Sequence, residues 1–530
     1  MKLKFKIIHS LIAIAGFLSS CSDSFLDRPP LSAISIDNFY QTSADLKLAT
    51  AALYAGTPWA GWLYSSYLPI GEVLSGNMTL GWNDDAAQFN SFSVTGLNGG
   101  VIAAWQGMYN VVGHCNVTIN SINEKAPATI PVEDVNQAIA ETKFIRAYAY
   151  YNLVLLWKDI PIIEDNLLLI KMPLVNRNPA NDVYQFIVND LTFAAKNLPP
   201  TNEKGRVSTW SAQGLLAKVY LTWSGLNSPV SEQRDQALLD SAKIYASNVC
   251  KNSGLELMSD YAEIFKTANN DNPESLFALQ WDSSTSDWLS GNMLQIYSSG
   301  SIDISPNGSA GWFSILPTVD IYNQYSEKDV VRRKATFMLK GDYYPELNRA
   351  GGGYTFKGDA GLKKHIIGTN KDNNAATMTL TSSAEHTALL RLSDVYLVYA
   401  EAILGNSTTS TDIDALLYFN KVRQRAGLDP VSSLDADVIL KERRIELAGE
   451  GQYWFDLVRL SYYNPAKAIS ILNKEKRFTF TISDGVVTEG EPANTITQAT
   501  AGTFTLPIPS ADITANPKLL EPAVPYKFLK

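Results

Sequence analysis

Histidine, cysteine and long apolar runs are what this chain has least of. Only 4 histidines occur in 530 residues. His9 lies in the opening stretch, and His114, His365 and His386 form neither an HExxH pair nor matched Cys/His spacing, which excludes the common transition-metal layouts. The cysteines are Cys21, Cys115 and Cys250, too few for a disulfide framework. Cys115 and Cys250 read as buried helix residues, with a single bridge between them left open. Neither a G-x-S-x-G elbow nor a G-x-x-x-x-G-K-[ST] loop is found, so the hydrolase and nucleotide-binding classes built on them drop out. No motif asks for a cofactor. Lysine and arginine number 44 against 53 acids, a net charge of -9. That balance excludes nucleic acid and broad adhesion to anionic membrane, both of which need clustered cations. Beyond Cys21 no stretch approaches the ~20 consecutive apolar residues of a spanning helix.

What the chain does have begins at its first residues. Lys2, Lys4 and Lys6 precede the apolar run Ile7 to Leu18, and Ser19-Ser20-Cys21 closes it. The run is too short to cross ~30 Å of hydrocarbon as a helix, and the small residues sit where a peptidase cuts. Residues 1–20 therefore read as a lipoprotein signal, with Cys21 as the acylated N-terminus that anchors the domain in a membrane. Their removal takes three lysines and no acid, so the net charge moves from -9 to -12. Residues 21–36 read as a tether, since Pro29-Pro30 blocks helix.

Helical periodicity dominates the rest. Phe144, Ala147, Tyr148, Tyr151 and Leu155 recur at helical steps within a run from 135 to 157, ended by Pro161. Further helices are expected over 182–198, from Ser208 or Thr209 onward with an apolar face from Ala212 to Trp223, and over 235–250. Short turns, small residues at close contacts and aromatic knobs suggest tetratricopeptide-like hairpins, although no strict 34-residue consensus is present. From 269 to 384 the composition turns to Gly, Ser, Asn and Asp with isolated aromatics and short strand-like pieces such as 275–281. Helices resume over 389–404, 413–425 and 438–449, and a hairpin is expected within 473–505. The expected fold is all-α: a helical-hairpin scaffold over 37–268, a loop-rich ligand-binding insertion with short β-strands over 269–384, and a C-terminal helical block over 385–530 packed with the N-terminal helices.

The densest charged cluster is Glu442-Arg443-Arg444-Ile445-Glu446 with Glu450, Asp456 and Arg459. Glu442 and Glu446 share a helix face and could be read as a glycosidase acid and nucleophile. The neighbouring arginines favour ion pairing instead, because a general acid needs an apolar setting that raises its pKa.

At this cluster the chain resembles the SusD/RagB-type outer-membrane nutrient-binding lipoproteins. Phe25-Leu26-Asp27 with Pro29 resembles the family's opening, and Phe144 to Leu153 running on to Asp159-Ile160-Pro161 its long helix and exit turn. Leu390 to Leu397 with Ala400-Glu401-Ala402 is similar to one C-terminal block, and Asn420, Val422, Arg423 and Arg425 to Leu428 to a second. Glu442-Arg443, Glu446-Leu447, Glu450-Gly451 and Phe455-Asp456-Leu457 with Arg459 resemble a third, and Pro507-Ile508-Pro509 with Asn516-Pro517 the closing signature. Lys158 stands where the family often has Gly, and Tyr453 where it often has Arg. The resemblance implies no catalysis, capture of an oligo- or polysaccharide at the surface of the outer membrane, and delivery to a partner TonB-dependent (SusC-like) transporter. Its shared motifs are scaffold residues and transfer no ligand contacts.

A sugar offers C–H faces and hydroxyls, so its binders set an exposed indole or phenol beside amides and carboxylates. Tryptophans outside any helical or strand period are the candidates. Trp82, with Asn83 and Asp84, stands first; Trp288 with Asn292, Tyr297 and Trp312 follow from the irregular stretch. Trp59 and Trp62, flanking a Pro-Gly segment, are further candidates, whereas Trp105, Trp157, Trp210, Trp223, Trp281 and Trp454 read as core. A peptide- or glycopeptide-binder of the same fold, a surface glycoside hydrolase and a pure helical adaptor are the competing readings. Asn269-Asn270-Asp271-Asn272 resembles a calcium loop but is commoner as a turn.

Overall fold

The computed structural model describes residues 39–528 except 57, 81–83, 227, 229–231, 285–290, 299, 306–308, 313, 349, 369–376, 484 and 493–494. The expected lipid anchor at Cys21 and the tether lie outside the described residues. Among the described residues no helix is long and apolar enough to cross a membrane.

Helices carry the fold. In chain order they include α1 (Ser43–Tyr54), α2 (Asp84–Ser91), α3 (Gly99–Lys125), α4 (Val132–Trp157), α5 (Asn166–Lys171), α6 (Ala180–Asn197), α7 (Thr209–Leu226), α8 (Gln236–Asn252), α9 (Leu392–Leu404), α10 (Ile413–Arg425), α11 (Ala436–Glu446), α12 (Tyr453–Tyr463) and α14 (Ser510–Ala515), with α13 (Pro465–Lys474) before it. Consecutive long helices pack on one another: α3 on α4, α4 on α6, α6 on α7, α7 on α8, and then α8 on α9 and α9 on α10. This is the stacked-hairpin arrangement that the periodicity predicts, since one hairpin cannot bury its own apolar face. The centre of the stack is α4, where every residue from Phe144 to Trp157 is buried. Cys115 on α3 and Cys250 on α8 are both free thiols.

Between α8 and α9 the chain leaves the stack and returns to it. Strands β2 (Ser275–Leu279) and β8 (Thr387–Arg391) close the base of that excursion as an antiparallel pair, Ser275 opposite Arg391 and Leu279 opposite Thr387. Sequence periodicity extends the helix back to Leu389; the structure gives 387–391 to a strand, because Phe277 and Leu279 offer those residues a buried partner. Inside the excursion lie β3 (Ile315–Pro317), β4 (Phe337–Leu339), β5 (Tyr343–Tyr344), β6 (Tyr354–Thr355) and β7 (Ala360–Leu362), paired β4 with β7 and β5 with β6. β1 (Met78–Leu80) pairs with β3 across a long sequence separation. The late hairpin is β9 (Phe480–Ser483) with β10 (Val486–Glu489).

The exit of α4 holds one strained residue. Lys158 closes the helix with φ 61° and ψ -90°, its N–H donating to Val154 O at 2.9 Å. A β-carbon is disfavoured at positive φ, and this is the position where the resembled family often has glycine. The ammonium partly compensates by lying 5.7 Å from the centroid of the Tyr462 ring.

Candidate functional site

Pairing of β1 with β3 sets Leu80 opposite Ile315. The strand end from which residues 81–83 depart is therefore beside the strand start that Trp312 precedes, although Trp82 and Asn83 themselves lie outside the described residues. Both exits are anchored. Trp312 N donates to Ile296 O at 2.6 Å and Ser314 N to Tyr297 O at 3.0 Å. On the other side α2 begins at Asp84 and is fixed to the start of α3: Asn98 Nδ2 donates to Asp85 O at 2.8 Å, while Asn98 Oδ1 accepts from the Gly100 and Val101 amides as the helix cap.

Trp312 is the most exposed tryptophan among the described residues, at 36%. It sits edge-on to two phenols, 6.0 Å from Tyr64 at an interplanar angle of 62° and 5.7 Å from Tyr297 at 78°. Tyr64 and Tyr297 stack on each other at 5.8 Å and 25°. The Tyr297 hydroxyl donates to Tyr64 O at 2.7 Å, and burial pushes both phenols' pKa upward, so both stay neutral donors. Tyr64 lies on a π-helical turn, Leu63–Tyr67, which continues through Leu68 into a second such turn, Pro69–Val73. Turns of this kind recur at functional sites because the extra residue re-aims a side chain. Gly71 in the second turn crosses Gly451 so closely that a Cβ on Gly71 would run into the Gly451 backbone.

The remaining sequence candidates divide. Trp288 lies outside the described residues, and only the backbone of Asp84 is described, as the first residue of α2. Asn292 was expected at the ligand and is instead fully buried: its Nδ2 donates to Glu385 O at 2.7 Å and its Oδ1 accepts from Leu294 N at 3.0 Å. The amide is consumed in bracing the loop. Tyr297 is likewise buried and serves as a prop beneath Trp312. Trp59 and Trp62 are core residues, 6.0 Å apart edge to face, with Trp59 Nε1 donating to Leu53 O at 2.8 Å. The Pro-Gly neighbourhood read as a loop, but Gly61 lies inside a short helical turn, Ala60–Trp62, that buries Ala60 and Trp62. Tyr64 was missed because it sits in an apolar helical stretch, where spacing alone gives no sign of a half-buried ring.

The carboxylate cluster of α11 is spent on ion pairs. Glu446 is buried against Arg391 at 3.2 Å, Arg332 at 3.3 Å and Arg425. Glu442 receives Arg332 at 2.6 Å and Arg423 at 3.0 Å. Arg391 reaches onward to Glu450 at 2.7 Å and Glu274 at 3.1 Å. Burial alone would raise the Glu446 carboxyl, yet Arg425, Arg391 and Arg332 hold it down to about 2. A group kept ionised in this way cannot serve as a general acid near neutrality.

A helical-repeat scaffold whose loop excursion exposes one indole, Trp312, propped by the buried Tyr297 and by the half-buried Tyr64 of the N-terminal π-helical turn, presents a surface aromatic platform of the kind binding proteins use. Comparison with known proteins gives the family. Residues 346–524 match the model of the SusD family, and residues 72–221 match one described as starch-binding associating with outer membrane. A SusD-like protein of Bacteroides ovatus is 38% identical over 100% of this chain and 99% of its own length; SusD-like protein P2 of Formosa agariphila is 27% identical over 87% and 91%. A crystal structure with a xylogluco-oligosaccharide superposes at a TM-score of 0.85, with 38% identity, covering 92% of this chain and 100% of that one. Surface glycan-binding protein A of Bacteroides thetaiotaomicron, in complex with laminarihexaose, is 22% identical with a TM-score of 0.66 over 90% and 98%, a likeness of fold alone. The chain belongs to the SusD-like family.

Proposed function

We propose that this chain is a non-enzymatic, lipid-anchored glycan-binding protein of the outer-membrane surface, and that it passes an oligo- or polysaccharide to a TonB-dependent transporter. The observation that carries the reading is the Trp312 indole, partly exposed and wedged by Tyr64 and Tyr297. A pyranose face stacks on such a ring, and an indole locked by its neighbours loses little side-chain entropy on binding. Trp82 and Trp288 are proposed as companion platforms, Trp82 because its strand exit lies beside that of Trp312. Asn83 and Asp84 would supply the polar contacts. The 38%-identical structure holding a xylogluco-oligosaccharide makes a decorated glucan the first ligand to try. The saturation of Glu442 and Glu446 by arginines supports binding over hydrolysis.

Affinity electrophoresis of the soluble domain in native gels containing xyloglucan or laminarin tests the ligand. Retardation in xyloglucan is expected; unchanged mobility across a panel of plant and fungal polysaccharides would sink the glycan reading. Fatty-acid labelling of the full chain in its host, lost in Cys21→Ala, tests the anchor.

A further inference from the structure

Tyr343 is the most exposed aromatic side chain among the described residues, at 50%, and the aromatic surface around Trp312 makes no use of it. It opens β5, whose two residues divide by strand alternation. Tyr344 turns inward to pack with Ile304, Met338, Leu347 and Phe356, while Tyr343 turns outward. Along and just beyond β6 the same alternation buries Phe356 and exposes Thr355 and Lys357, and the pairing sets Thr355 directly opposite Tyr343. Ile304 precedes Trp312 within the excursion, so the two exposed rings ride on one lobe.

The ring is fixed in place although half of it meets water. Its hydroxyl donates to Gly352 O at 3.1 Å, and Lys334 Nζ donates to Tyr343 O at 3.2 Å. It lies against Gly353, where a Cβ would stand 2.2 Å from the hydroxyl oxygen and 2.5 Å from Cζ, and where φ is 83°. Only glycine allows that approach at that φ. Asn348 locks the turn beneath: its Nδ2 donates to Gly353 O at 2.6 Å, its Oδ1 accepts from Ala350 N at 2.9 Å and its carbonyl from Gly351 N at 3.0 Å. Polar bonds and a bare stretch of backbone, rather than burial, hold this phenol at the surface. A ring positioned in advance gives up little side-chain entropy when a ligand covers it.

Its neighbours select the ligand. Beside the ring on that face stand the Thr355 hydroxyl, the Lys357 ammonium and the peptide groups of the glycine turn. A protein-docking patch is a contiguous apolar area. One phenol set among a hydroxyl, an ammonium and peptide donors and acceptors matches a pyranose instead, which offers a C–H face to the ring and hydroxyls to the rim. We propose that Tyr343, with Thr355 and Lys357, forms a second saccharide subsite, separate from the Trp312 surface, that grips a further unit of the same polysaccharide; the proposal rests on the glycan reading advanced under Proposed function. Two platforms on one lobe make the second contact intramolecular, so a long glycan is held by both where a short one occupies only the first.

The test compares polymer with oligomer on the full chain purified in detergent. Retardation in native gels containing xyloglucan or laminarin reads the polymer, and isothermal titration with a short oligosaccharide of the same glycan reads the first platform alone. Tyr343→Ala should weaken apparent affinity for the polymer by about tenfold while leaving oligosaccharide affinity and melting temperature unchanged. Tyr343→Phe, which keeps the ring, should bind the polymer like the unaltered chain, and Lys357→Ala should show the same split between polymer and oligomer in weaker form. Equal polymer retardation of Tyr343→Ala and the unaltered chain would overturn the subsite and spare the glycan reading. Equal loss of polymer and oligosaccharide binding in Tyr343→Ala would also overturn it, by making the ring part of the Trp312 surface. Failure of either polymer to retard the unaltered chain would overturn the subsite together with the choice of ligand it rests on.

Discussion

Arg391 donates through Nε to Glu450 Oε2 at 2.7 Å, tying the last residue of β8 to the turn after α11. The same guanidinium reaches Glu274 and Glu446, so one buried side chain fastens the base of the loop excursion to the C-terminal helices. Arg391→Met leaves these carboxylates buried with fewer cations. The expected loss is about 3–5 kcal/mol of unfolding free energy, read as a fall in the urea midpoint; a change under about 1 kcal/mol would show that the network is dispensable.

The acid dependence of stability follows from the same network. Glu446 titrates near 2 in the folded chain against an ordinary value of 4.5. Its folded pKa is depressed, so its contribution is complete above 4.5 and is lost as pH falls toward 2. Asp394, Glu401 and Glu450 shift in the same direction, held down by Lys218 and Arg443, by Arg459 and Arg234, and by Arg391 and Lys364. Glu475 works in the opposite sense: burial pushes it up to about 7 against Arg477 and Arg444. Its contribution is present below 4.5 and is lost as pH rises through 7. Thermal unfolding between pH 4.5 and 8 should therefore flatten in Glu475→Gln relative to the unaltered chain.

At the aromatic surface two substitutions separate contact from support. Trp312→Ala should weaken glycan binding by about 1–3 kcal/mol with an unchanged melting temperature, as for other anchor residues. Tyr297→Phe keeps the ring stack on Tyr64 and removes the 2.7 Å bond to Tyr64 O. It should cost about 1 kcal/mol of stability and a smaller part of the affinity. Isothermal titration with a xyloglucan oligosaccharide beside thermal melts distinguishes the two.

Lys158→Gly should stabilise the chain, by about 1 kcal/mol, because relief of a positive φ outweighs loss of the Tyr462 contact. A lowered melting temperature would show that the ammonium over the ring matters more than the backbone.

Gly71→Ala tests the crossing of the π-helical turn over Gly451, which no rotamer change can relieve since both partners are backbone. A loss of about 1–3 kcal/mol is expected, together with weakened glycan binding, since Tyr64 rides on the preceding turn.

Much of the scaffold was legible in the residues. The 3.6-residue recurrence from Phe144 to Leu155 predicts α4, and the run 413–425 is a helix with those same ends, capped by Asp412. Arginine density around Glu442 and Glu446 already favoured pairing over catalysis, because unlike charges at neighbouring positions on a short helix have few other ways to be buried. Local periodicity and charge are read from neighbours in sequence, and those interactions survive in the fold. What tertiary structure alone decided were the long-range choices. Strand β8 displaced the start of a helix because β2, more than 100 residues earlier, offered it a buried edge. Trp59 and Trp62 went to the core while Trp312 stayed outside. Tyr64 and Tyr297 met through a hydrogen bond across 233 positions. An indole's exposure is set by what packs over it, and no local pattern carries that information.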